Sequence, residues 1–203
     1  MTRLNRTTLL AATLCVTLAA CEEKKTNNNL EFITPNDENA TVDNSITMYG
    51  ICGRASTANT LELLTDSGDT LNINITPTRE NGGVLGDLQP GDRIAVVSEK
   101  GAASPRTIIN ETMLMGDWLM PNPLDGSSEV GIRFRDGGIA ESIEQSSIIY
   151  RSWKLVGGKL EIMLVREGGG DEEEINQYEI TKLDDDSLII SNADDTFEYG
   201  RAR

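Results

Sequence analysis

Apolar and polar residues alternate with a period of two along most of the chain after residue 45. Leu71, Ile73 and Ile75 are separated by Asn72 and Asn74, the pattern of a half-buried strand whose side chains point to opposite faces in turn. Ile46, Met48 and Cys52 share one face of an earlier strand. Leu61 and Leu63 continue the pattern, with Asp66-Ser-Gly-Asp69 as a hairpin turn. Pro90-Gly91, a type II turn centre, leads into Ile94-Ala-Val-Val97, and a further strand is predicted over 106–112. Five or six short strands in about 70 residues predict a small antiparallel barrel over 45–112.

The second half keeps the style without repeating the sequence. Val130, Ile132 and Phe134 alternate with Gly131, Arg133 and Arg135, and Asp136-Gly137 is a hairpin signal. A strong strand follows over 148–153, and Gly157-Gly158 turns the chain into Leu160, Ile162 and Leu164. Tyr178 with Ile180, Leu188 with Ile190, and Phe197 with Tyr199 mark three more strands. No stretch sustains a 3.6-residue period, so any helix is short and the expected fold class is all-β.

The first 44 residues differ in kind. A basic start with Arg3 and Arg6 precedes a mostly apolar run over 9–20. That run is shorter than the roughly 20 residues a membrane span needs, and it fits a secretory signal over 1–20. Leu18-Ala-Ala-Cys21 resembles the lipobox of bacterial lipoprotein precursors, which implies cleavage before Cys21 and lipidation of its thiol. Several acyl chains on one residue anchor stably where a single chain is marginal. Residues 22–44 are polar and read as a tether. Glu22-Glu23 resemble the acidic tags of Bacteroidetes lipoproteins sent to the cell surface. Cleavage before Cys21 would leave 16 basic against 33 acidic residues, a balance unsuited to nucleic acid. It would also leave Cys52 as the one free thiol, so no disulfide is expected within the chain.

From about Leu114 onward the chain resembles the lipocalin-like domains of Bacteroidetes lipoproteins. Gly116-Asp-Trp118, Gly131-Ile-Arg-Phe-Arg-Asp-Gly137, Tyr150-Arg-Ser-Trp153 and Tyr199-Gly-Arg201 carry the likeness. The resemblance implies a short-stranded barrel over 113–203, with Trp118 at its closed end under Arg201 as a cation–π pair. The first half, 45–112, including Gly91-Asp-Arg-Ile-Ala-Val-Val97, resembles a small OB-like barrel.

Histidine is absent, which removes Ser-His-Asp and Cys-His catalysis and the commonest transition-metal ligand. Cys52 reads as a small core residue beside Ile46 and Met48. The runs Asp171-Glu-Glu-Glu174, Asp184-Asp-Asp186 and Asp194-Asp195 lack the ligand spacing of a calcium loop and fall between strands, where charge is solvated. Gly168-Gly-Gly170 lacks the Lys-Ser/Thr of a phosphate cradle. No catalytic residue, metal or cofactor is expected. The Val, Ile, Leu, Phe and Tyr faces suggest a well-filled barrel interior.

The expected function is a non-enzymatic envelope lipoprotein, attached to the outer membrane through Cys21 and facing the surface or the periplasm. Its partner is a small hydrophobic ligand or another envelope protein, not nucleic acid. A solid-packed accessory subunit of an outer-membrane assembly is the alternative, and a carboxylate-based hydrolase ranks third.

Overall fold

The computed structural model describes residues 45–203, apart from 124, 125, 127, 146 and 169–171. Cys21 and the segments 1–20 and 21–44 therefore lie outside the described residues. The first six strands are β1 (Ser45–Cys52), β2 (Thr60–Thr65), β3 (Thr70–Asn74), β4 (Val84–Leu85), β5 (Arg93–Glu99) and β6 (Thr107–Asn110). They form one barrel-like sheet in the order β3-β2-β1-β5-β6-β4. Neighbours run antiparallel except β4 and β6, which are parallel. Helix α1 (Thr76–Glu80) links β3 to β4, and α2 (Glu111–Leu114) follows β6.

The hydrophobic alternation explains the sheet's own core. Cys52, Leu61, Leu63, Ile94, Val96 and Ile108 face inward and cluster with Ile75. Cys52 is a free, buried thiol. At Gly50 a Cβ would meet the Leu64 carbonyl oxygen at 2.4 Å, so glycine lets β1 and β2 approach. The strand predicted over 106–112 stops at Asn110. The Asn110 side chain accepts from Met113 N at 2.9 Å and caps α2, while its amide donates to Asp92 Oδ2 at 2.7 Å.

The remaining strands are β7 (Gly116–Pro121), β8 (Glu129–Arg135), β9 (Ile139–Ile143), β10 (Ile148–Val156), β11 (Lys159–Arg166), β12 (Glu173–Leu183), β13 (Ser187–Ser191) and β14 (Thr196–Arg201). They form a closed eight-stranded barrel, each strand antiparallel to the next. β14 closes on β7 through the pairs Gly200–Leu119 and Arg201–Trp118. The protein is all-β, with an OB-like sheet ahead of a short-stranded barrel.

One end of the barrel is sealed from within. Trp118 is fully buried and its indole donates to the Leu114 carbonyl at 2.8 Å. The Arg201 guanidinium carbon lies 4.1 Å from the Trp118 ring centre. Arg201 donates to the carbonyls of Met115 at 3.0 Å and Asp185 at 2.7 Å, and to that of Met113. Gly116 has φ 131°, and a Cβ there would sit 2.6 Å from Arg201 Nη1, so a glycine two residues before the tryptophan makes room for the guanidinium.

The first sheet packs against this same end. Leu85, Ala95 and Ile109 belong to the barrel's core cluster, beside Trp118, Phe134, Leu160 and Leu188. Hydrogen bonds run across the junction: Tyr49 Oη to the Leu155 carbonyl at 2.8 Å, Gly86 N to that of Leu183 at 3.0 Å, and Arg106 Nη2 to that of Gly157 at 2.8 Å.

Two stability changes follow. Arg201→Ala removes the ring contact and strands three carbonyls, and is expected to cost about 2 kcal/mol in urea unfolding. Arg201→Lys keeps the charge without the planar fork and should recover only about half of that. Asn110→Ala removes the cap of α2 and a buried hydrogen bond, and a similar loss of about 2 kcal/mol is expected from thermal unfolding.

Candidate functional site

Burial inside the barrel grades from one end to the other. At the sealed end Trp118, Phe134, Leu160 and Leu188 are fully enclosed, whereas Met120, Tyr150 and Phe197 toward the far end are half-buried. Strand alternation puts Met120 two residues beyond Trp118 and Leu164 two beyond Ile162, so both point the same way as the core. Water reaches Met120, Tyr150 and Phe197 in the far half, while Leu164 stays buried.

Three tyrosines distinguish the interior: Tyr150 lies toward the far end, and Tyr178 and Tyr199 pair in register with Leu160 and Leu188. Tyr150 on β10, Tyr178 on β12 and Tyr199 on β14 place phenols on the core side of their strands. Tyr150 interacts electrostatically with Tyr178, Tyr199 and Gln145, and Tyr178 with Asn176. Gln145 also donates to the Gly131 carbonyl at 3.1 Å, which ties the β9–β10 connection to β8. Phe197 lies edge-on to Tyr178 with ring centres 5.9 Å apart, and its ring centre is 6.4 Å from that of Tyr199. At the rim Arg166 Nε sits 3.0 and 3.1 Å from the two Glu174 oxygens.

The phenols are neutral groups. Burial pushes Tyr150, Tyr178 and Tyr199 above the ordinary tyrosine value of 10.0, Tyr199 farthest, and Tyr150 adds to the rise at both Tyr178 and Tyr199. They offer uncharged donors and acceptors surrounded by ring, thioether and aliphatic surface. That combination orients a mostly apolar molecule by one polar end.

The barrel wall beside this half is incomplete as a ladder. β9 and β10 share the single registered pair Ile139–Ser152, and β10 bulges between Tyr150 and Ser152. The Ser142 hydroxyl fills the gap, donating to the Ile148 carbonyl at 2.6 Å and accepting from Tyr150 N at 2.9 Å. A side chain thus holds the strand that carries Tyr150.

The structure brings Trp118 and Arg201 together at the sealed end. Two of the acidic runs serve turns. Asp184 Oδ1 accepts from Asp186 N and Ser187 N, and Asn192 Oδ1 accepts from Asp194 N and Asp195 N. Periodicity marks the three tyrosines as space-filling core residues. The available signal for more was a set of phenols on inward faces otherwise occupied by Leu and Ile.

Residues 110–202 match the protein-family model described as lipocalin-like, a span that begins at the Asn110 cap and takes in α2 and the whole barrel. The chain is also similar to a lipocalin-like protein from Bacteroides thetaiotaomicron VPI-5482 of known crystal structure. The two are 30% identical over 44% of this chain and 97% of that one, with a TM-score of 0.40. No curated protein matches the chain. Through its C-terminal half, residues 110–202, the chain belongs to the lipocalin-like family.

Proposed function

We propose that the chain is a non-enzymatic binding module of the cell envelope, holding a small apolar molecule with one polar end in the far half of its barrel. The observation that carries this reading is the neutral tyrosine cluster Tyr150–Tyr178–Tyr199 above a floor sealed by Trp118 and Arg201. The apolar body lies among Met120, Leu164 and Phe197, and the polar end exchanges hydrogen bonds with the phenols. The lipocalin-like fold supports a binding role of this type. In the same reading the module is held at the outer membrane by acyl chains on Cys21, with residues 22–44 as its tether.

The neutral probe N-phenyl-1-naphthylamine tests the site. Saturable fluorescence enhancement is expected with the native chain. Met120→Trp fills the space and should abolish the enhancement, and Phe197→Ala should weaken binding several-fold. Enhancement that survives Met120→Trp places the probe elsewhere and sinks the assignment. A chain that binds no apolar probe and co-purifies with a stoichiometric envelope protein supports the accessory-subunit reading instead.

Anchoring is tested separately. Cys21→Ser is expected to move the protein from the detergent-rich to the aqueous phase on phase partitioning of its own envelope, and an unchanged distribution rules out the lipid anchor.

The phenols also set an alkaline limit on stability. The unfolded chain ionises its tyrosines from about pH 10, while the folded chain keeps Tyr150, Tyr178 and Tyr199 protonated to higher pH. The stability they contribute is fully present below that pH and falls as pH rises above it. The urea midpoint should therefore drop above about pH 10, less steeply in Tyr199→Phe.

A further inference from the structure

A second concave site lies outside the barrel, where β1 and β5, helix α2, the β8–β9 turn and the end of β10 meet. Its volume is about 500 Å³, within the range of small-molecule sites. Tyr49, Met115, Trp153 and Leu155 give it ring, thioether and aliphatic walls. The rim at Gly137 and Gly138 carries no side chain. Both have φ near +75°, and a Cβ on Gly137 would meet nothing within 4 Å. A glycine pair thus leaves this side open.

The charges in the groove are unevenly matched. Arg93 is turned onto Asp66, with both guanidinium nitrogens on the two carboxylate oxygens at 2.5 and 2.6 Å, and its face lies 5.6 Å from the Tyr49 ring centre. It reaches Glu111 only at 3.3 Å through Nε. Lys154 is held at 2.7 Å by Glu161, a nearly buried acid that also accepts from Gln177. Lys154 is thus committed to an acid outside the groove, whereas Arg93 is shared between Asp66 outside it and Glu111 within it. Glu111 and Asp136 both line the groove. The Glu111 side chain is 14% exposed, and among the described residues Asp136 forms no ion pair; its carboxylate accepts from the Gly137 amide of its own turn.

The electrostatics agree. Burial pushes the Glu111 carboxyl above its ordinary value, Arg93 opposes the rise, and the charges of Asp66 and Asp136 add to it. A cation placed beside Glu111 and Asp136 relieves the burial cost and their mutual repulsion together, whereas an anion worsens both.

We propose that this groove binds a small organic cation, its protonated amine beside the Glu111 and Asp136 carboxylates and its apolar body against Trp153, Met115 and Leu155. The groove is separate from the far half of the barrel, and its apolar walls belong to or pack on the barrel's core cluster. A charged amine is favoured over a neutral polar group because charge-assisted hydrogen bonds to carboxylate are about twice as strong as neutral ones. It also gains from the faces of aromatic side chains.

Phenethylamine is the probe, titrated into the full chain and followed by tryptophan fluorescence and by the Met115 methyl resonance. Saturable binding is expected, at least tenfold tighter than that of the neutral analogue 2-phenylethanol, with phenylacetate weaker still. Glu111→Gln should weaken the amine at least tenfold and Asp136→Asn several-fold. Asp136 is exposed, so the second variant keeps its fold even if the first disturbs Arg93. Asp194→Asn, in a remote turn, should leave the affinity unchanged, as should Met120→Trp in the barrel. The proposal is overturned by amine and alcohol binding alike, by no saturation, or by Asp194→Asn weakening binding as much as Asp136→Asn, which would mean general attraction to an acidic surface.

Discussion

The Arg201 guanidinium lies over the Trp118 ring while donating to carbonyls from two separate parts of the chain. Met113 and Met115 bring it the end of α2 and the entry to β7, and Asp185 brings the β12–β13 turn. A planar cation with several fixed donors is the group suited to this, because it meets a ring face and carbonyl edges at once. The clamp also joins the first and last strands of the barrel, at the pair Arg201–Trp118. Ring closure, floor and helix placement therefore draw on one side chain, two residues before Arg203.

The first sheet adds to that floor. Leu85, Ala95 and Ile109 enter the barrel's cluster, and backbone hydrogen bonds to Leu155, Gly157 and Leu183 tie the turns of the barrel to it. Polar backbone groups at a barrel end need partners when covered. Here the neighbouring sheet provides them. The same junction leaves the groove outside the barrel, since two curved surfaces meet without filling every hollow.

Much of this architecture was legible in period-two alternation, and the near-end clamp in Gly116-x-Trp118 with Arg201. The exceptions have physical causes. β9 escaped notice because its large Ile139 points outward and its small Ala140 inward, which inverts the usual contrast. β4 has two residues and pairs in parallel, too short to show a period. Residues 111 and 112 read as strand because an alternating pattern says nothing of the capping bond at Asn110 that starts a helix there. The tyrosine cluster and the groove join residues far apart in sequence, and alternation states only that a side chain points inward, not which other side chain it meets.

The Ser142 hydroxyl between β9 and β10 has a kinetic meaning. Most other neighbours in the wall are cross-linked by several paired residues, and β14 and β7 by two. Along this seam a single serine oxygen holds Ile148 and Tyr150. This sparse seam borders Tyr150. Amide hydrogens along it are therefore expected to exchange faster than those along the long β10–β11 and β11–β12 ladders.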